Sequence, residues 1–129
     1  MEHRDINNID KEFLVDLLST ATYGCDWAMV KTPVSERHLD DKFSQEYLED
    51  RCLEEKWADR LLSGGTIIVY DVEDETRTSI NLEQIKEGLL KAKFKEAPAD
   101  WEDFVNGRDD YYTCNNLLQI IVFGEVVYG

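Results

Sequence analysis

The stretch Ser63-Gly64-Gly65-Thr66-Ile67-Ile68-Val69-Tyr70 constrains this chain more than any other. The two glycines end any helix that precedes them. The residues behind them are almost all β-branched or aromatic, which suits a pleated, half-buried surface. After the acidic turn Asp71 to Glu75 comes Arg77-Thr78-Ser79-Ile80, so the segment predicts a β-hairpin. An isolated hairpin is at best marginally stable in water and needs a helical layer over one face.

The rest of the chain offers that layer. Phe13, Leu14, Leu17, Leu18 and Ala21 recur at helical spacing, with Asp10 as N-cap and Gly24 beyond the end. Within residues 35 to 63, Ser44 reads as a cap, and Leu48, Cys52, Leu61 and Leu62 with Trp57 or Ala58 form a helical stripe. Asn81 opens a third helix, with Gln84 placed as in a capping box. Leu82, Ile85, Leu89, Ala92 or Leu90, and Phe94 turn inward there. A last helix runs from about Tyr111 to Phe123 and stops at Gly124.

Between these, Trp27 to Val30 reads as a brief strand or extended segment, and Val126-Val127-Tyr128 as a terminal strand. Residues 95 to 110, with Pro98, Gly107 and many acids, read as a loop with at most one turn around Trp101 and Phe104. Leu17-Leu18 with Tyr23-Gly24 is echoed by Leu117-Leu118 with Phe123-Gly124. That echo is either two common caps or two equivalent units flanking the hairpin. With 129 residues there is room for one core. The expected fold is therefore a single small α+β domain with about four helices, a central β-hairpin and short additional strands.

Composition narrows the chemistry. An apolar fraction of 43% is that of ordinary globular domains. The 28 acidic residues outnumber 14 basic ones, for a net charge of -14, which repels nucleic acid and anionic membrane and attracts basic surfaces. No apolar run approaches the ~18 residues that span a bilayer. The start Met1-Glu2-His3-Arg4-Asp5 lacks the pattern of a signal peptide, and Cys25, Cys52 and Cys114 are too few and too scattered for a disulfide framework. The expectation is a cytoplasmic protein.

No phosphate loop is present, because Gly64-Gly65 precedes a strand instead of following one. His3 and His38 have no partners at metal-ligand spacing, so neither cofactor nor metal is expected, and His38 reads as an exposed helix residue. Cys25 reads as a buried reduced thiol at a helix end. The acidic turn lacks the central glycine and terminal glutamate of a calcium loop. No catalytic residues are assigned, and the chain reads as a binding protein, not an enzyme.

Acid gathers in three places. Glu46, Glu49, Asp50, Glu54, Glu55 and Asp59 alternate with Arg51, Lys56 and Arg60, so they can pair along a helix. The turn Asp71, Glu73, Asp74 and Glu75 and the loop Asp100, Glu102, Asp103, Asp109 and Asp110 are nearly free of basic residues. Trp101, Tyr111 and Tyr112 lie beside the latter, and such rings suit an interface anchor or a pin onto the core. These twelve residues are the candidate partner-binding set. Rows of carboxylates either serve solubility or imitate the phosphates of duplex DNA, which carries one charge per roughly 1.7 Å. Lys86, Lys91, Lys93 and Lys95, mixed with Glu83, Glu87 and Glu96, are too few for a nucleic-acid site.

Three segments carry a family resemblance. Ala21-Thr22-Tyr23-Gly24 to Trp27-Ala28, Gly64-Gly65-Thr66-Ile67-Ile68 to Tyr70-Asp71, and Ile121 through Phe123-Gly124-Glu125-Val126-Val127-Tyr128-Gly129 resemble a family of small uncharacterised proteins. Those proteins are encoded by phages and prophages of Gram-positive bacteria. Where that family has paired glycines before the aromatic residue, this chain has Gly24-Cys25. The resemblance implies a mobile-element accessory protein and brings no catalytic residues. The resulting expectation is an inhibitor of a host protein that has a basic, nucleic-acid-binding surface, of which an anti-defence protein such as an anti-CRISPR is one form. The alternative is a structural or assembly protein whose apolar C-terminal segment makes a homodimer.

Overall fold

The structure is a computed structural model that describes residues 4–42 and 52–128. It is an α+β fold. The elements are α1 (Lys11–Thr22), β1 (Ala28–Lys31), a 3-10 stretch (Val34–Lys42), α2 (Leu53–Leu62), β2 (Thr66–Asp71), β3 (Thr76–Asn81), α3 (Leu82–Lys91) running into a π turn (Ala92–Glu96), α4 (Pro98–Val105) and α5 (Tyr111–Phe123).

The hairpin forms as its sequence predicts, and the Trp27 to Val30 segment joins it. The three strands make one antiparallel sheet in the order β1-β2-β3, with Met29 opposite Tyr70 and Ile67 opposite Ile80. Alternation along β2 sends Ile67, Val69 and Asp71 inward. Helices cover that inner face: α2 packs on β2, α3 on β3, and α1 and α5 pack on each other behind them. Phe104, Leu14, Leu17, Leu18, Leu117 and Leu118 are fully buried in the one core cluster among the described residues. Each such side chain contributes about 1.5–3 kcal/mol by leaving water.

Local chemistry sets the helix starts. Asp10 accepts from the Phe13 N–H at 2.9 Å. Asn81 and Gln84 exchange hydrogen bonds of 2.8 and 2.9 Å in the expected capping box. The double glycine has two separate reasons. Gly64 has φ +90°, which closes α2, whereas Gly65 lies where a Cβ would come within 2.8 Å of Leu39, Arg60 and Glu36. The 3-10 stretch can thus lie against the start of β2, where the Glu36 carboxylate accepts from the Thr66 N–H at 2.6 Å. Gly88 is likewise required by contact: a Cβ there would sit 2.6 Å from Ile121 Cα, so α3 and α5 approach backbone to backbone.

Four expectations change. The described residues hold five α-helices, one more than expected, because Pro98–Val105 is α4 and not a loop. Proline is well placed at a helix start, and Trp101, Phe104 and Val105 face the core on one stripe while the acids occupy the outer side. Phe94 is 73% exposed instead of inward. Ala92 took the buried position, and a residue two places further lies about half a turn round the helix. Val126 to Tyr128 is irregular chain, not a strand. Within the stripe of residues 35 to 63, α2 starts after Cys52, which is exposed; Trp57, Ala58 and Leu61 are buried, and Leu62 is exposed. Ser44, Leu48 and the acids Glu46 to Asp50 lie outside the described residues.

The echoed helix ends are alike only in part. Gly124 caps α5 in the left-handed conformation, while α1 ends on Tyr23 with left-handed Gly24 one place further. Only the first copy continues into a strand.

Candidate protein-binding surface

The twelve residues expected to meet a partner divide sharply by burial. Asp71 is 2% exposed and Trp101 6%. Trp101 packs on Phe13 and Phe104 with ring centroids 6.5 and 6.1 Å away, so it belongs to the core. Asp71 accepts from the Glu73 N–H at 2.9 Å and the Tyr128 hydroxyl at 2.7 Å. Asp109 is enclosed as well, 2.6 Å from the Arg4 guanidinium. These three are structural, because each has its polar or apolar requirement met inside the chain. Asp100 accepts from the Asn116 amide at 3.2 Å, and Asp103 lies 3.4 Å from Arg108 in an exposed pair.

Arg4 had no sequence signal beyond being a lone cation near the N-terminus. It bonds the Phe104 carbonyl at 2.7 Å, Asp109 and Asp16, and it lies 4.1 Å over the Phe104 ring. Burial works against its charge, but Asp109 and Asp16 outweigh that and raise its pKa. Beside it, burial first and then Asp109 push the Cys114 thiol well above the ordinary range. The arrangement ties the N-terminal arm to the junction of α4 and α5. A cleft of about 390 Å³ next to it is lined by Asp5, Asp10 and Asp16 among others. Those carboxylates already serve the Asn7 N–H, the α1 cap and Arg4.

A second network fastens the C-terminal tail. Asn115 accepts from the Trp27 indole N–H at 3.0 Å and donates to the Ala21 carbonyl at 2.9 Å. Gln119 donates to Asn115 at 2.9 Å and accepts from the Val127 and Tyr128 N–H groups at 2.8 and 2.7 Å. Tyr128 then reaches Asp71, which raises the pKa of its hydroxyl. Trp27, Phe123 and Tyr128 stack with centroids 5.3 to 6.0 Å apart. Ala21, Trp27, Asp71, Phe123 and Tyr128 converge here. Their physical role is to close the fold.

Two groups of the expected residues remain on the surface. Glu73, Asp74 and Glu75 are exposed at the tip of the hairpin, next to the tail, where the charges of Asp74 and Glu73 act on Tyr128. At the start of α5, Asp110 accepts from the Thr113 N–H at 2.9 Å, which lowers its pKa, and Tyr111 and Tyr112 follow with ring centroids 5.4 Å apart. No hydrogen bond or ion pair joins these two groups among the described residues. Glu102 is exposed on the outer side of α4.

The structure adds Tyr23, which sequence reading had taken only as part of a helix stop. It is 84% exposed, and Tyr112 is 70% exposed. Ser19, Thr20, Tyr23 and Tyr111 line a groove of about 350 Å³ between the end of α1 and the start of α5. Burial, the Cys25 side chain and the Asp26 carboxylate push the Tyr111 hydroxyl up to about 12, so it stays neutral. Tyr23 and Tyr112 with Asp26 and Asp110 thus form a solvent-facing rim of rings and carboxylates around half-buried Tyr111. No family model, curated protein or solved structure matches this chain.

Among the described residues no three His, Cys, Asp or Glu converge as a metal-ligand set, and His38 is exposed on the 3-10 stretch. Cys25 is half-buried, 3.5 Å from the Asn115 amide. No described helix is long and apolar enough to cross a membrane.

Proposed function

We propose that this chain is a non-enzymatic phage or prophage accessory protein that binds and inhibits a host protein through the face bearing Tyr23, Tyr111 and Tyr112. The observation that carries the reading is the exposure of Tyr23 and Tyr112 beside Asp26, Asp110 and half-buried Tyr111, while most other rings among the described residues pack into or against the core. Tyrosine supplies apolar contact at low entropic cost, and it is enriched among residues that dominate binding energy. A chain of net charge -14 steers toward basic partners, so a nucleic-acid-binding host protein fits, and an anti-defence inhibitor is the most concrete case.

The test is capture of a basic host protein by the wild-type chain and by a Tyr23→Ala, Tyr112→Ala double variant. Wild type should retain it in a salt-sensitive manner, and the double variant should bind at least about tenfold more weakly. Equal retention by both chains would remove this face from the interface.

A second reading is favoured by Val126 and Val127, which are exposed on the tail. In it the C-terminal segment makes a homodimer and the protein serves assembly. Sedimentation over a concentration series separates the two, because the inhibitor reading does not require a concentration-dependent dimer.

A further inference from the structure

The groove between α1 and α5 combines tyrosine rings with a helix C-terminus whose last turn carries no cation. The last turn of α1 holds no basic residue, and its carbonyls carry the partial negative charge of a helix C-terminus. From inside the molecule the neutral Asn115 amide donates to the Ala21 carbonyl at 2.9 Å, which leaves the charge of this helix end without a cation in its own last turn. At the α1 end a wall of Ser19 and Thr20 meets Tyr23 and Tyr111, with the Asp26 carboxylate near enough to act on the Tyr111 hydroxyl.

We propose that this groove receives an arginine side chain of the partner. This rests on the reading of the tyrosine face as the docking surface, and it names what enters it. A guanidinium is planar, weakly hydrated and always charged, so it can lie on a tyrosine ring while its N–H groups reach hydroxyl, carbonyl and carboxylate oxygens. Ser19, Thr20 and the end of α1 offer those acceptors, Tyr23 and Tyr111 offer the rings, and the nearby Asp26 carboxylate adds attraction through its charge. A lysine ammonium is a compact, strongly hydrated point charge and uses the rings less well. An anion is disfavoured at this end of the helix.

The full-length chain, labelled with nitrogen-15, is titrated with N-acetyl-arginine methylamide. Saturable amide shifts should centre on Ser19, Thr20, Tyr23 and Tyr111. The neutral citrulline analogue should produce none, and the lysine analogue should bind more weakly. Tyr23→Leu and Asp26→Asn should each weaken the arginine analogue about two- to fivefold. Both sites are exposed, so these variants fold. Equal shifts with citrulline, equal affinity for lysine, or shifts spread over the whole acidic surface would each overturn the proposal. If the arginine analogue fails to bind but the Tyr23 and Tyr112 double variant still loses the host protein, this inference falls and the docking face stands. If arginine binds in the groove and no host protein is retained, the groove stands and the inhibitor reading falls.

Discussion

The two ends of α5 hold the molecule's clearest pair of contrasting regions. The link between α1 and β1 runs along this helix, with Cys25 beside Tyr111 in its first turn and Trp27 against Phe123 in its last. At the last turn Trp27 is buried, with Phe123 and Tyr128 partly buried against it. The Trp27 indole N–H, the Tyr128 N–H and the Tyr128 hydroxyl find partners in Asn115, Gln119 and Asp71. At the first turn Tyr23 and Tyr112 face water. Both regions place aromatic rings next to carboxylates. What separates them is whether the chain itself supplies the acceptors and the cover, and the uncovered end is the one with exposed rings left to offer.

Breaking the closed end should have the largest effect. Asn115→Leu leaves the Trp27 indole N–H and one Gln119 bond without an acceptor in the interior. It should cost about 2–4 kcal/mol, read as a lower urea midpoint at unchanged slope. Gln119→Leu releases the backbone of Val127 and Tyr128, whose N–H groups can then turn to water. About 1–3 kcal/mol is expected, with amide exchange accelerated in the tail but not in α1. If instead the whole chain loses protection together, the tail is part of the cooperative core and the two ends of α5 are not separable.

The open end responds to acid. The Thr113 N–H holds the Asp110 pKa below the ordinary aspartate value of 3.8. A carboxylate whose folded pKa is lowered adds stability above its unfolded pKa and loses it as pH falls through the folded one. Asp110→Asn keeps a capping oxygen but cannot titrate. The stability difference between wild type and Asp110→Asn should therefore be full at neutral pH and shrink once pH falls below 3.8. A difference independent of pH would show that the cap bond, and not the charge, carries the effect. The smallest change is expected for Tyr23→Ser, within about 0.5 kcal/mol in urea unfolding, because an exposed ring with no internal partner adds little to stability. A loss as large as that of Gln119→Leu would mean that Tyr23 pins the fold, and the contrast would collapse.

Much of the architecture was legible from residue order because its causes are local. Asp10 and Asn81 cap the helices that their neighbours predict, and the β-branched run after Gly65 pairs as a hairpin. The α4 helix was harder to read, since its acids and proline resemble a loop until Trp101, Phe104 and Val105 are seen to share one buried face. The surface was legible only in part. Asp110, Tyr111 and Tyr112 were found from their sequence, but Tyr23 joins them across a separation of 88 residues, which no local pattern reports. Asp71 and Asp109 looked like unpaired surface charge because their partners, Tyr128 and Arg4, lie 57 and 105 residues away.

Sequence by itself determined the net charge, the caps of α1, α3 and α5, and the hairpin, since each depends on side chains within a few positions of one another. Tertiary structure alone decided which acids are spent inside and which rings stay outside. That choice depends on the free energy of burying a polar group, which is favourable only when a distant residue arrives to satisfy it. Asn115 and Gln119 provide that at one end of α5, and at the other end the rings remain exposed.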